Sequence, residues 1–338
     1  MKKLYYVLNL ALLLTFGAQA GAAEPQPGTK LRPTRTVLLY PEGQSVDKGI
    51  IENGVAITSG PGESNGLSGE ETSNDWGDFG NISDNARIDI YLPKKPNGQM
   101  VISCPGGGYQ YVSAFNEGAY VADHFTKRGI AVCVVKYRLP NGHWQVPLTD
   151  VQNAFRYCRA HAAQWGIRQI GIIGFSAGGH LAASASTLFT DELTRPDFSI
   201  LVYPVITLEA GVTHQGSCDA LIGSKDKWLD ASLPHSVYMK NKARYEELLQ
   251  YYSLENQVSA DTPQTMLLLS SDDGLVVPEN SLRYYRTLLD KNVSAQIHTF
   301  PIAGHGWGFF TSEFGNDRLG DYRKVFFDAI DTWLENIK

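Results

Sequence analysis

Cysteine is scarce. The four in 338 residues, Cys104, Cys133, Cys158 and Cys218, have spacings that give neither a disulfide framework nor a zinc pattern. Cys104, Cys133 and Cys158 stand in apolar, strand- or helix-like contexts and read as buried thiols, because an unpaired cysteine behaves as a small hydrophobe. No cluster of His, Cys and carboxylates has metal-ligand spacing, so neither a metal nor another cofactor is expected. Positive charge is also short: 29 Lys and Arg against 35 Asp and Glu give a formal net charge of −6. Such a surface offers no footprint for nucleic acid or an anionic membrane. Internal repeats and low-complexity tracts are missing, and past the N-terminus no apolar run is long enough to span a bilayer.

The N-terminus is the exception in hydropathy. Lys2 and Lys3 precede a mainly apolar stretch from Leu4 to Phe16, and Ala18-Gln19-Ala20 follows. This is the pattern of a signal peptide over residues 1–20, with cleavage after Ala20 or, as second choice, after Ala23. The apolar stretch is shorter than the roughly 20 residues of a membrane span. The expectation is an exported chain, periplasmic or secreted, whose charge becomes −8 once Lys2 and Lys3 are removed. Residues 21–34, rich in Pro, Gly and Thr, read as a linker.

From residue 35 to 338 the pattern predicts one α/β domain. "RTVLLY" (35–40) and "GVAITS" (54–59) look like strands, and the polar, glycine-rich residues 60–85 like a long surface loop. Residues 35–97 are then N-terminal strands and loop. A period-two strand follows at 86–93, then apolar runs near 100–105, 129–140, 169–176, 198–207 and 265–271, with a further strand at 294–300. Helices are expected near 118–127, 147–164 and 320–336. Apolar strands alternating with helices predict a mostly parallel sheet covered on both faces, with ligands beyond the carboxyl ends of its strands. Residues 208–262 are too long for one connection and read as an insertion lining or capping the site.

Chemistry gathers at those strand ends. Gly174-Phe175-Ser176-Ala177-Gly178 matches G-x-S-x-G, in which a strand turns sharply into a helix and its serine stands clear of the sheet. A plain helix-capping serine would fit the pentapeptide equally well. "CPGGGYQ" places Gly106, Gly107 and Gly108 after an earlier buried strand, where backbone amides could hold an oxyanion. "SSDDGLVV" offers two adjoining acids, Asp272 and Asp273, after a late strand. Of the eight histidines, only His305 lies in a glycine-flanked loop after the last strand. Serine, acid, histidine is also the chain order used by this nucleophile elbow. Together the pieces predict a Ser-His-Asp triad with a covalent acyl intermediate.

Other residues carry two readings. His180, on the helix opened by Ser176, reads as structural, and Arg138 and Asp150 as an architectural pair. Glu117 could touch a sugar hydroxyl or serve as a helix-start carboxylate. Tyr109, Tyr111, His214 and Trp307 could line a sugar-sized groove or pack as core and rim.

The set "CPGGGY", "YRLP", "GFSAGGHLA", "RPDF", "YPV", "HQGS", "DDGLVVPENS" and "GHGWG" resembles exported bacterial α/β-hydrolase carbohydrate esterases, the acetylxylan esterases with feruloyl esterase relatives. The resemblance runs from about Gly98 to the C-terminus. It implies Ser176 as nucleophile, His305 as base and Asp273 as its orienter, Asp273 having the Asp-x-x-Val spacing through Val276. It further implies an oxyanion hole from Gly107, Gly108 and the amide of Ala177, and as substrate an acyl ester, foremost acetyl, on a cell-wall polysaccharide such as xylan. Feruloyl or general carboxylesterase activity is the alternative. A serine peptidase is disfavoured because about 60 residues before the core are too few for a propeller. A lipase is disfavoured by the charge of residues 208–262, and a non-catalytic sugar-binding homologue by the intact triad.

Overall fold

The structure, a computed structural model, describes residues 32–40, 51–52, 55–56, 70–82, 86–310 and 317–337. Eight strands form its main sheet: β1 (Arg35–Leu38), β2 (Arg87–Tyr91), β3 (Gln99–Cys104), β4 (Ala131–Lys136), β5 (Gln169–Phe175), β6 (Ser199–Val202), β7 (Thr265–Ser270) and β8 (Ala295–Phe300). Their spatial order is β1-β2-β4-β3-β5-β6-β7-β8. The pairs β1/β2 and β2/β4 are antiparallel, and every pair from β4 to β8 is parallel.

Strands such as β4 are apolar throughout because both faces are covered. Ala131, Cys133 and Val135 enter one core, while Val132 and Val134 enter the other. The first core is closed by α2 (Gln145–Trp165), α3 (Ser176–Thr187), α4 (Gln215–Ile222), α6 (His235–Tyr251) and α7 (Glu279–Asp290), through side chains such as Phe155, Leu181, Leu221, Leu248 and Tyr284. The short α5 (Lys225–Trp228) packs Trp228 against the same side. The second core is closed by α1 (Tyr120–Thr126) and α8 (Tyr322–Asn336) through Phe125, Phe326 and Ile330. Each of these phenylalanines, fully withdrawn from water, contributes about 2 kcal/mol. Arg138 and Asp150 do pair, both fully buried: Asp150 Oδ1 accepts from Arg138 Nη2 at 2.7 Å, and its Oδ2 from the Arg138 amide at 2.8 Å. Tyr40 also donates to Oδ1 at 2.6 Å, which ties the end of β1 to α2.

The site follows from the strand order. After β3 the chain crosses to β4 on one side, and β5 then adds on the other, so the loops leaving β3 and β5 part at a topological switch point. Gly174 stands opposite Cys104, so Pro105 and Phe175 continue from the same edge of the sheet.

One expectation changes. Within the stretch read as a surface loop, Thr72–Ser73 and Asp78–Gly80 are strands, which join Tyr111–Ser113 in a three-stranded antiparallel sheet. Strands this short show no period, and their partner lies over 30 residues away, so local sequence gives no sign of them. The strand expected at 54–59 is described only as Val55–Ala56, paired with Ile51–Glu52. The proposed signal peptide and nearly all of the linker lie outside the described residues. All four cysteines are free, buried thiols, and burial pushes Cys218 up to about 12. Among the described residues no helix is long and apolar enough to cross a membrane.

Candidate active site

Phe175 ends β5 with extended backbone, φ −125°, and Ser176 opens α3 with φ +54°. That left-handed conformation is uncommon for a residue with a side chain and marks a held corner. The flanking glycines make it possible. A Cβ on Gly174 would lie 2.2 Å from the Gly178 carbonyl oxygen, and one on Gly178 would lie 2.1 Å from that of Cys104. The strand, the helix and the β3 loop can approach this closely only without those side chains.

Three loops bring their side chains together. His305 Nε2 lies 2.8 Å from Ser176 Oγ, and His305 Nδ1 lies 2.7 Å from Asp273 Oδ2. The other oxygen of Asp273 accepts from the amides of Leu275 at 3.0 Å and Val276 at 2.9 Å. A carboxylate only accepts, so the imidazole proton belongs on Nδ1 and the Nε2 lone pair faces the serine hydroxyl. Asp272 is engaged elsewhere: its Oδ1 accepts from the Gly304 amide at 2.9 Å, bracing the histidine loop from below. Asp273 is buried with 4 % exposure, and Ser176 retains 8 % at the floor of a cavity.

That cavity holds about 360 Å³, and Gly107, Gly108, Tyr111, His214 and His305 surround Ser176 in it. Gly107, at φ +126°, has no room for a Cβ, which would fall 2.2 Å from the Tyr111 carbonyl oxygen. The Gly107 and Gly108 amides have no acceptor among the described residues. Ala177 is fully buried as the second residue of α3, where a helix leaves its amides without internal partners. Gly107 and Gly108 thus line the cavity with Ser176, and Ala177 follows it in the chain.

The five residues that carried two readings divide, and Tyr111 takes its place in the cavity wall. His214 does line the cavity. It caps α4, its Nδ1 accepting from the Ser217 amide at 3.3 Å, so the neutral ring carries its proton on Nε2. Burial, and then His305 nearby, hold its pKa below the usual histidine value. Tyr109 is no groove residue: it is 2 % exposed and donates to His180 Nδ1 at 2.9 Å. Trp307 is also core, its indole giving a hydrogen bond to Ser270 Oγ at 3.0 Å and meeting Tyr203 and Phe326 edge-on.

Glu117 lines the cavity from a helix's first turn and also ties two loops together. It is 4 % exposed, and it lies in a π-helical turn, Phe115–Ala119. Its Oε2 accepts from the Gly106 amide at 2.5 Å and its Oε1 from the Tyr203 hydroxyl at 2.7 Å. Burial raises its pKa, and those two hydrogen bonds oppose the rise. Tyr203, the tyrosine of "YPV", is the second part of this link. At φ +37°, it accepts from the Gly308 amide at 2.8 Å and sets its ring 4.7 Å from that of His305. One carboxylate and one phenol thus join the oxyanion loop to the histidine loop. Only the "YPV" at the end of β6 hinted at Tyr203.

His180 is structural, as read. Its Nε2 donates to the Tyr252 carbonyl at 2.8 Å, so Nδ1 accepts from Tyr109, and burial lowers its pKa to about 4. No cluster of three or more metal-ligating side chains occurs among the described residues.

A mostly parallel sheet with a Ser-His-Asp arrangement over its carboxyl edge defines the α/β-hydrolase class. The chain belongs to the BD-FAE family, whose model matches residues 88–288. It is 35 % identical over 263 residues to an acetylxylan esterase from Xylanibacter ruminicola, an alignment that covers 76 % of this chain and 50 % of that protein. The chain thus spans half the length of that curated relative. The crystal structure of an acetyl ester-xyloside bifunctional hydrolase from Caldicellulosiruptor lactoaceticus aligns with a TM-score of 0.60 at 30 % identity, covering 73 % of this chain and 88 % of that one. MGS-M1, an α/β hydrolase enzyme from a Medee basin deep-sea metagenome library, shares the fold with a TM-score of 0.56 at 23 % identity, over 75 % and 92 % of the two chains.

Proposed function

We propose that this protein is a serine carboxylic ester hydrolase that removes acyl groups, foremost acetyl, from a cell-wall polysaccharide such as xylan. The observation that carries the reading is the continuous hydrogen-bonded relay from Ser176 Oγ through His305 to Asp273, at 2.8 and 2.7 Å. The similarity to an acetylxylan esterase and to an acetyl ester-xyloside hydrolase supports the choice of acyl group and polymer. The N-terminal pattern of residues 1–20 supports export to where such polymers occur.

In this mechanism Ser176 Oγ attacks the ester carbonyl as its proton passes to His305 Nε2. The amides of Gly107, Gly108 and Ala177 hold the oxyanion. Each such donor is worth on the order of 3 kcal/mol to the transition state. His305 then gives the proton to the departing sugar oxygen, leaving an acyl group on Ser176. Water attacks that acyl group, His305 takes one of its protons, and the collapse returns a carboxylic acid and the free serine. Asp273 holds the tautomer and stabilises the imidazolium.

Acetate release from acetylated xylan, measured for the mature chain and for Ser176→Ala, tests the reading. The wild type should release acetate and the variant should not. Serine-dependent hydrolysis of a small aryl acetate without release from xylan would remove the polymer from the reading. No turnover of either substrate would overturn it.

A further inference from the structure

A polysaccharide is longer than the cavity over Ser176, so its chain has to leave across a rim. The rims differ in chemistry. On the side of the acid and histidine loops stand Leu275 and Ile302, aliphatic and each 52 % exposed. On another side is the three-stranded sheet that the sequence concealed. Its inner strand puts Tyr111 and Ser113, two residues apart and hence on one face, into the cavity wall. The strand Asp78–Gly80 pairs alongside, with Gly80 opposite Tyr111 and Asp78 opposite Ser113.

The turn entering that strand presents Trp76. At 57 % exposure, it is the most exposed large apolar side chain among the described residues. Its backbone is firmly held. Asn74 Oδ1 accepts from the amides of Trp76 and Asp78, both at 3.0 Å, and the Gly77 carbonyl accepts from Ala114, next to Ser113, at 2.9 Å. A Cβ on Gly77, at φ +71°, would fall 2.1 Å from the Phe115 ring, so the turn is seated on the same π-helical segment that carries Glu117. A rigid turn that offers a large indole to water, its Gly77 bonded to the residue that follows Ser113 of the cavity wall, suits a flat apolar ligand. The C–H face of a pyranose ring is such a surface.

We propose that Trp76, with the half-exposed Tyr111 nearer the serine, forms a stacking subsite for a further sugar ring of a polysaccharide whose ester lies at Ser176. The proposal rests on the polysaccharide-ester reading above. Its test compares Trp76→Ala and Trp76→Phe with the wild type on polymeric acetylated xylan and on 4-nitrophenyl acetate. Loss of one aromatic stacking contact should raise KM for the polymer roughly fivefold in Trp76→Ala, and less in Trp76→Phe. Neither kcat on the polymer nor the kinetics on the small ester should change. A polymer KM unchanged in Trp76→Ala overturns the subsite alone, as does equal damage on both substrates, which would make the turn structural. A wild type active on the aryl ester but inactive on xylan overturns the polysaccharide reading, and the subsite with it.

Discussion

Asp272 and Asp273 are identical in chemistry and adjacent in sequence, and the backbone gives them different work. Asp273 has one oxygen bound to two amides and turns the other to His305, whereas Asp272 points to the Gly304 amide. Asparagine at 273 can present an N–H to the imidazole, which favours the tautomer with its proton on Nε2, where the base must have a lone pair. Asp273→Asn should therefore lose about 10⁴-fold in kcat, and Asp272→Asn less than about tenfold. Steady-state hydrolysis of an aryl acetate by the two variants checks this, and equal losses would reject the assignment. Neighbouring acids of this kind cannot be told apart by composition. Serine and histidine were legible because each sits in a local glycine pattern, while the choice between the acids was made by a pattern borrowed from relatives.

At the scale of elements, the loops after β3, β6 and β8 meet through Glu117 and Tyr203. These contacts span 11, 86 and 105 residues, so no local pattern announces them. The same distance effect hid the small sheet, and it left the sequence unable to choose the core reading for Trp307 and Tyr109 over the groove. Repeating strands and helices, by contrast, were legible from 86 onward, because each element carries its own period of buried side chains. Glu117→Gln replaces one acceptor with a donor at a junction where both partners, the Gly106 amide and the Tyr203 hydroxyl, donate. The oxyanion loop should shift relative to the histidine loop, with kcat falling by about 10²-fold, as small misplacements of reacting groups do. KM should stay within about threefold, because the cavity walls otherwise remain. A fall in kcat/KM carried by KM alone would show that Glu117 meets substrate instead.

For the whole molecule, His180 links stability to pH. It is buried between Tyr109 and Tyr252, joining the β3 loop, α3 and the end of the 208–262 insertion. The rest of that insertion mostly closes the first core, and His214 and Gly216 are the part of it that reaches the cavity. His180 titrates at about 4 in the fold against 6.5 ordinarily, so below pH 6.5 the unfolded chain binds a proton that the fold refuses. Stability therefore falls from pH 6.5 down to about pH 4 and levels below that, a total loss of about 3 kcal/mol from this group. Urea unfolding of the wild type and His180→Gln at pH 7 and pH 4.5 reads the difference. The variant should be weaker at pH 7 but lose about 2 kcal/mol less on acidification. Parallel pH dependences would clear His180 of the effect.

The left-handed backbone at Ser176 has a consequence for descent. The corner that lifts the hydroxyl above the sheet withholds about 1–3 kcal/mol that folding would otherwise release. Selection for a sturdier chain and selection for a reactive one thus pull on the same residue in opposite directions. A lineage that no longer needs the chemistry has a standing incentive to relax this corner first. Silent descendants of such a chain should then keep the sheet, the helices and the seat of Trp76, having lost only the bend that made the serine reach out.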